Sequence, residues 1–283
     1  MSRLYVVATP IGNLNDMTFR AIEILKNSDI ILCEDTRTSQ VLLNHYEIFS
    51  KLEAYHKFNE NSKSESIIDK MLDEDLTVSI ITDAGTPCIS DPGTYIVQKA
   101  RQNNIDVFVV PGASAVISSL SVSGLNFKEF AFLGFFPRES KEQKTFLTQI
   151  EDSFIDTFVI YESPKRIIDT LKCLKNVFSD LMVVCCNDLT KKFERYYYGD
   201  IDSVLEQLEQ NDNAELGEYV VCIQKKIKEK EKYDISLEAL LCDDIVKNGG
   251  TIKDAINRLK KTYPKNDLYE ASLNLKKLEI FKH

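Results

Sequence analysis

Short apolar runs alternate along this chain with amphipathic stretches of about ten residues. Leu4-Tyr5-Val6-Val7-Ala8 reads as a strand buried on both faces. A loop follows over 9–16. Residues 18–28 are predicted to be a helix with Phe19, Ile22 and Leu25 on one stripe and Asp16 or Thr18 as its N-cap. Ile30-Ile31-Leu32-Cys33 is a second strand, ending at Glu34-Asp35-Thr36-Arg37. Another helix starts near Thr38 or Ser39 and carries Val41, Leu42 and Leu43. Residues 54–61 are polar and aromatic without periodicity. They precede a helix bearing Ile67, Ile68, Met71 and Leu72. Strand 78–82, loop 83–93, helix 94–102 and strand 107–110 come next. Pro111-Gly112-Ala113-Ser114-Ala115 closes that strand, and a small-residue helix over 115–123 stops at Gly124. Strands alternating with helices of this length predict a largely parallel α/β sheet.

The pattern restarts near Phe130. A charged helix begins at Lys141, strand 158–161 leads into Glu162-Ser163-Pro164-Lys165-Arg166, and a helix carries Ile167, Ile168, Leu171 and Leu174. Leu181–Cys186 and Tyr219–Ile223 are further strands, 193–199 is β-prone, and 201–210 is helical in pattern. Lys225 to Lys232 is almost wholly charged and reads as a linker or the end of the last strand. Three short helical patterns follow, over 237–247, 251–263 and 265–278, with Ile252, Ala255, Ile256 and Leu259 as the middle stripe. The expected organisation is an N-terminal α/β domain over 1–120, a second α/β domain over 121–228, and a helix-turn-helix-like appendage over 229–283.

Composition changes this picture little. Hydrophobic residues make up 43% and charged residues 28%, as in ordinary globular proteins, and no apolar stretch approaches bilayer length. The first apolar run is too short for a signal peptide. Seven scattered cysteines without a CxxC, and three isolated histidines, argue against a disulfide framework or a metal site; a cytoplasmic location and no metal are expected. The net charge of −9 is unlike a typical nucleic-acid binder. Residues 251–283, however, carry eight basic against four acidic side chains, so the tail suits an anionic partner.

The chemistry lies in loops after strands. Three of them, 9–13, 83–93 and 111–115, are rich in Gly and Pro, and together they suggest one ligand crevice at the carboxyl edge of a sheet. There is no GxxxxGK[ST], no GxGxxG after the first strand and no GxSxG. Six segments occur in order: Thr9-Pro10-Ile11-Gly12-Asn13-Leu14, Glu34-Asp35-Thr36-Arg37, Asp83 to Gly93, Pro111 to Ala115, Gly134-Phe135-Phe136-Pro137-Arg138, and Tyr161 to Arg166. Together they resemble the tetrapyrrole methylase superfamily, in the branch that acts on small-subunit ribosomal RNA. The Asp83 loop reads Asp-Ala-Gly-Thr-Pro where the superfamily usually has Gly-Asp-Pro.

The resemblance implies S-adenosylmethionine held between two α/β domains, a homodimer, and methylation of a cytidine ribose 2′-hydroxyl in the decoding centre of 16S rRNA. It implies cofactor contacts at Pro10, at Asp83, Ala84, Gly85 and Thr86, at Ser114 and Ala115, and at Tyr161 and Glu162. For a general base the motif loops offer Glu34, Asp35, Glu60, Asp91 and Glu162, with Glu34 and Asp35 preferred. Arg37, His56, Lys57, Asn59, Arg138, Lys165 and Arg166, with Lys260 and Lys261 of the tail, are the candidate RNA contacts. Two other readings stay open: the same fold acting on a tetrapyrrole or protein acceptor, and a non-catalytic RNA-binding assembly factor.

Overall fold

The computed structural model describes residues 1–225, 236–260 and 262–277. The chain divides into two compact units, Met1–Lys226 and Ile227–His283.

The first unit contains two five-stranded sheets. One is built from β1 (Arg3–Val7), β2 (Ile30–Cys33), β3 (Lys51–Ala54), β4 (Thr77–Ile80) and β5 (Asp106–Val110). Their order is β3-β2-β4-β1-β5 and every pairing is parallel. The interleaved helices are α1 (Phe19–Lys26), α2 (Thr36–His45), α3 (Glu60–Asp73) and α4 (Thr94–Gln102), followed by α5 (Ala115–Val122). The chain leaves β1 across β4 to reach β2, and leaves β4 across β1 to reach β5. Right-handed crossovers in opposite directions put their helices on opposite faces. Accordingly α1 and α2 share a core with Val7, Ile31 and Cys33, whereas α3 and α4 share one with Leu4, Leu32 and Ile80. The neighbouring ends of β1 and β4 therefore splay their loops apart, and this is where a crevice opens in such sheets.

The second sheet holds β6 (Phe130–Phe135), β7 (Thr157–Glu162), β8 (Leu181–Asn187), β9 (Arg195–Asp200) and β10 (Tyr219–Lys225), in the order β6-β7-β10-β8-β9. Only β6 and β7 run parallel. One face packs against α6 (Ser140–Asp152), α7 (Ile167–Val177) and α8 (Ile201–Glu209). The other carries Val159, Val184, Cys186, Val220 and Cys222 against Val116 and Leu120 of α5 and Ile11 of the first loop. The second sheet thus lays an apolar face over the loop end of the first.

Several expectations need correction. Phe19 is not part of the buried stripe of α1: it is 93% exposed, because the i, i+4 pair Ala21 and Leu25 faces the sheet. Thr18, rather than Asp16, caps α1, accepting from the Ala21 amide. Helix α2 begins two residues early because the Asp35 carboxylate accepts from the Arg37 amide, and Val41 on it is exposed. Strand β3 was not expected, since Lys-Leu-Glu-Ala alternates over only four positions and has no β-branched residue; parallel pairing to β2 creates it.

The second unit contains α9 (Leu237–Asn248), α10 (Ile252–Leu259) and α11 (Lys265–Lys277) around Leu241, Ala255, Leu268, Ala271 and Leu275. Thr251 and Asp254 form a reciprocal capping box that starts α10. Most of the expected linker, and Leu278, lie outside the described residues.

Candidate active site

The three Gly/Pro-rich loops meet at the carboxyl edge of the first sheet and are fastened to one another. Thr9 and Gly85 exchange backbone hydrogen bonds, the Thr9 amide to the Gly85 carbonyl at 2.9 Å and the reverse at 3.1 Å. The Thr9 hydroxyl also donates to the Thr82 carbonyl at 3.0 Å. Gly85 holds φ = +85°, a conformation that a side chain would strain. The Thr86 hydroxyl donates to the Ala113 carbonyl at 3.1 Å, tying the second loop to the third. Ser114 then caps α5 by accepting from the Ile117 amide.

The second half presses on this assembly through the turn between β8 and β9. A methyl group on Gly12 would lie 2.6 Å from Cγ of Lys191 and 2.8 Å from both the Leu189 carbonyl and the Thr190 hydroxyl. Lys191 in turn bridges Asp188 at 2.9 Å and Glu218 at 2.8 Å.

Between the halves is a cleft of about 750 Å³, within the range that holds a drug-sized ligand. One wall is Ile11, Asp83 to Thr86, Ile89 to Asp91 and Ser114 to Ile117. The other is Phe130, Phe132, Phe135, Tyr161 to Pro164, Leu189 and Glu218 to Val220. Tyr161 stacks edge-on against both Phe132 and Phe135, with ring centres 4.8 and 5.4 Å apart. Of the sequence-derived cofactor contacts, Asp83, Ala84, Gly85, Thr86, Ser114, Ala115, Tyr161 and Glu162 line this cleft, whereas Pro10 is buried and the adjacent Ile11 reaches the wall instead. Sequence reasoning missed the contribution of β6 and of the turns beside β8 and β10. Its available signal was that β8 and β10 are apolar on both faces, although only one face meets helices of their own half.

The first-half edge is an acidic cluster. Burial raises the Asp83 carboxyl above its ordinary value; a hydrogen bond from the Asp35 backbone opposes the rise, and the Asp35 charge adds to it. Burial likewise raises Asp91, opposed by a hydrogen bond from the Thr82 hydroxyl and reinforced by Asp83. Glu34 is raised by burial, then by Asp91 and Asp83, with His56 opposing. Burial and Asp91 also push the Tyr161 phenol up. Among the described residues no salt bridge involves any of these four carboxylates. Asp91 does not cap α4, whose N-cap is Gly93 without a side-chain bond.

The remaining sequence-derived residues fall in three places. Glu34, Asp35, Arg37, His56 and Asn59 follow β2 and β3 at the same edge as the cleft. Arg138 and Arg166 line a smaller hollow of about 370 Å³ beside β6 and β7, and Lys165 stands exposed in the 3-10 turn Pro164–Arg166. The Arg166 guanidinium donates to the Phe136 and Pro137 carbonyls at 3.1 and 2.7 Å and lies 3.5 Å from Glu162. The Glu162 carboxylate is fully buried, accepting from the Ser163 amide at 2.6 Å and the Thr170 hydroxyl at 2.5 Å. Lys260 is exposed after α10 in the second unit, and Lys261 lies outside the described residues.

A doubly capped cleft at the carboxyl edge of a parallel sheet, closed by a mixed sheet, defines a class, and comparison with known proteins identifies it. The family model of the Tetrapyrrole (Corrin/Porphyrin) Methylases matches residues 3–205. The chain is 42% identical over 225 residues to the ribosomal RNA small subunit methyltransferase I of Hydrogenobaculum sp. (strain Y04AAS1), covering 79% of this chain and 96% of that one. It is 35% identical over 272 residues to the protein of the same name from Halalkalibacterium halodurans, covering 94% and 93%. Among solved structures, a diphthine synthase superposes with a TM-score of 0.60 at 13% identity, over 80% of this chain and 90% of that one. A uroporphyrin-III C-methyltransferase from Thermus thermophilus, complexed with S-adenosyl homocysteine, gives 0.52 at 16% identity, over 79% and 97%. The chain belongs to the tetrapyrrole methylase family, in its ribosomal RNA small subunit methyltransferase I branch.

Proposed function

We propose that this chain methylates 16S rRNA with S-adenosylmethionine as donor, at the ribose 2′-hydroxyl of a cytidine in the decoding centre. The observation that carries the reading is the cleft itself, lined by Asp83 and Asp91, which with the neighbouring Glu34 and Asp35 make no salt bridge among the described residues, in a chain whose close relatives are named rRNA methyltransferases.

The residues fit the donor. The cleft has the volume for it, and its apolar walls and fixed loop amides suit an adenosine. The donor supplies an electrophilic methyl on a positively charged sulfur. Asp83 and Asp91 provide the compensating charge. That compensation weakens once the sulfur is neutral, so the site favours donor over spent product. Asp83 to Thr86, Ser114, Ala115 and Tyr161 hold and orient the donor; Glu162 supports the wall, its carboxylate being committed to Ser163 and Thr170. Pro10 acts from beneath, by fixing Ile11. Closure of the second sheet excludes water and lines up the hydroxyl oxygen with the methyl, so positioning does most of the work.

The ribose hydroxyl must lose its proton as its oxygen bonds carbon. Asp35 is occupied in capping α2, which leaves Glu34 as the better acceptor of the two. Its raised pKa makes it a stronger base than an ordinary carboxylate. Arg37, His56, Asn59, Arg138 and Lys165 guide the RNA, while Arg166 organises the Phe136–Pro137 backbone. Parts 1–120 and 121–228 act as the two jaws, and part 229–283, with Lys260 and Lys261, adds RNA affinity. The working form is a cytoplasmic homodimer. Among the described residues no helix is long and apolar enough to cross a membrane.

Labelled methyl transfer to small ribosomal subunits and to free 16S rRNA, followed by nuclease mapping, tests this. Label is expected on a 2′-oxygen; label on a base refutes the chemistry, and no transfer with no heat of S-adenosylmethionine binding refutes the enzyme.

A further inference from the structure

The turn between β3 and α3 displays an aromatic ring that the fold does not use. His56 to Asn59 closes tightly: the Asn59 amide donates to the His56 carbonyl at 2.9 Å, and the Asn59 side chain accepts from the His56 amide at 2.8 Å and donates to the Ala54 carbonyl at 3.1 Å. Lys57 and Phe58 stand at its apex, and Phe58 is 94% exposed.

Exposed Phe residues occur elsewhere on this chain and need no account singly. Position and charge distinguish Phe58. It follows a strand at the carboxyl edge, the edge of the cleft. Its ring centre is 6.1 Å from that of His56, and His56 acts on Glu34, whose other charged neighbours, Asp83 and Asp91, line the cleft. Lys57, next to it in the turn, and Arg37, which follows β2 at the same edge, have no salt bridge among the described residues, whereas Lys51, Lys63 and Lys70 are all committed to Glu53.

Electrostatics then restrict how a nucleic acid can approach. Glu34, Asp35, Asp83 and Asp91 repel phosphate from the mouth. A strand enters there with sugar and base first and its phosphates kept outside, over the free cations. An unstacked base in that pose needs a flat apolar surface, which aromatic side chains supply in single-strand recognition.

We propose that Phe58 is a stacking platform for an unstacked nucleobase of the RNA substrate, with Lys57 and Arg37 on the adjoining phosphates. This rests on the RNA methyltransferase reading above. The test uses the full chain with Phe58→Ala, Phe58→Leu, Phe58→Trp and Lys57→Gln, measuring 16S rRNA affinity over a range of salt, S-adenosylmethionine affinity, thermal unfolding and self-association. Phe58→Ala and Phe58→Leu are expected to weaken RNA binding roughly 5- to 100-fold, and Phe58→Trp to retain it. The salt slope stays that of the wild type in all three, and Lys57→Gln lowers it by about one. Donor affinity and unfolding temperature stay unchanged. RNA binding by Phe58→Ala within twofold of wild type overturns the proposal, as does full binding by Phe58→Leu, which would mean plain apolar contact. Loss of self-association in Phe58→Ala overturns it too, since a second copy would then cover the ring. A wild type that neither binds nor methylates RNA removes the functional reading and this inference together; a methylating wild type with an indifferent Phe58→Ala removes the inference alone.

Discussion

Carboxylates are gathered in two regions of the first unit, and they are treated in opposite ways. In the second half, Glu162 is buried with an amide, a hydroxyl and a guanidinium around it, and Asp188 and Glu218 share the Lys191 ammonium. At the loop edge of the first half, Glu34, Asp83 and Asp91 make no salt bridge among the described residues, and burial raises all three; Asp91 and Asp83 add to the rise at Glu34, where His56 opposes it, and Asp83 adds to the rise at Asp91. Compensated charge holds a wall in place. Uncompensated charge is a standing cost, and it is the arrangement that the proposed function needs, where a positively charged donor or a proton would be received.

The contrast is open to direct attack. Glu162→Ala strips the partner from Arg166 and Thr170 inside the protein and is expected to cost about 3–5 kcal/mol of stability in urea unfolding; a loss below about 1 kcal/mol would mean that the buried carboxylate is not structural. Glu34→Gln should cost no stability and leave donor affinity alone, and slow methyl transfer about 10²-fold or more. In the wild type, transfer should climb with pH through the raised Glu34 value and then level, and the Gln variant should lack that rise. Gly12→Ala forces the first loop away from Lys191 and Thr190. About tenfold weaker donor binding by calorimetry is expected, as misplacement by about 1 Å is costly.

The smallest effect has the most telling sign. The folded states of Asp83 and Asp91 hold protons that the unfolded chain has already released, so ionising them removes stability as pH rises from the ordinary carboxylate range through the raised one. Asp91→Asn removes that cost. The variant should be a few tenths of a kcal/mol more stable than wild type at pH 7, equal to it below about pH 4, and poorer in donor binding. A variant less stable at pH 7 would place Asp91 with Glu162 among the structural carboxylates.

How much of this was legible in the sequence depends on the range of the forces involved. The alternation of Leu4–Ala8, Ile30–Cys33 and Val107–Val110 with amphipathic helices is local, and it announces the parallel sheet and the loops that follow each strand. Within the cleft the Gly/Pro-rich loops 83–93 and 111–115 were legible for the same reason, whereas the particular residues Asp83–Thr86 and Ser114–Ala115 came from the family resemblance. Phe130, Leu189 and Glu218 were not, because nothing within their own segments marks them; they reach the cleft only when the second sheet lays its uncovered face on α5 and the first loop.

The sequence by itself determined the two α/β halves, the helical appendage and the Gly/Pro-rich loops that line the cleft, since turn residues and hydrophobic period act over a few positions. Tertiary structure alone decided which carboxylates stay uncompensated and which are neutralised. Glu34 and Glu162 are the same residue type, each ending an apolar strand segment. Only the fold supplies one with hydrogen-bond donors and a guanidinium and leaves the other facing Asp83 and Asp91, because charge interactions depend on distance through space and on burial.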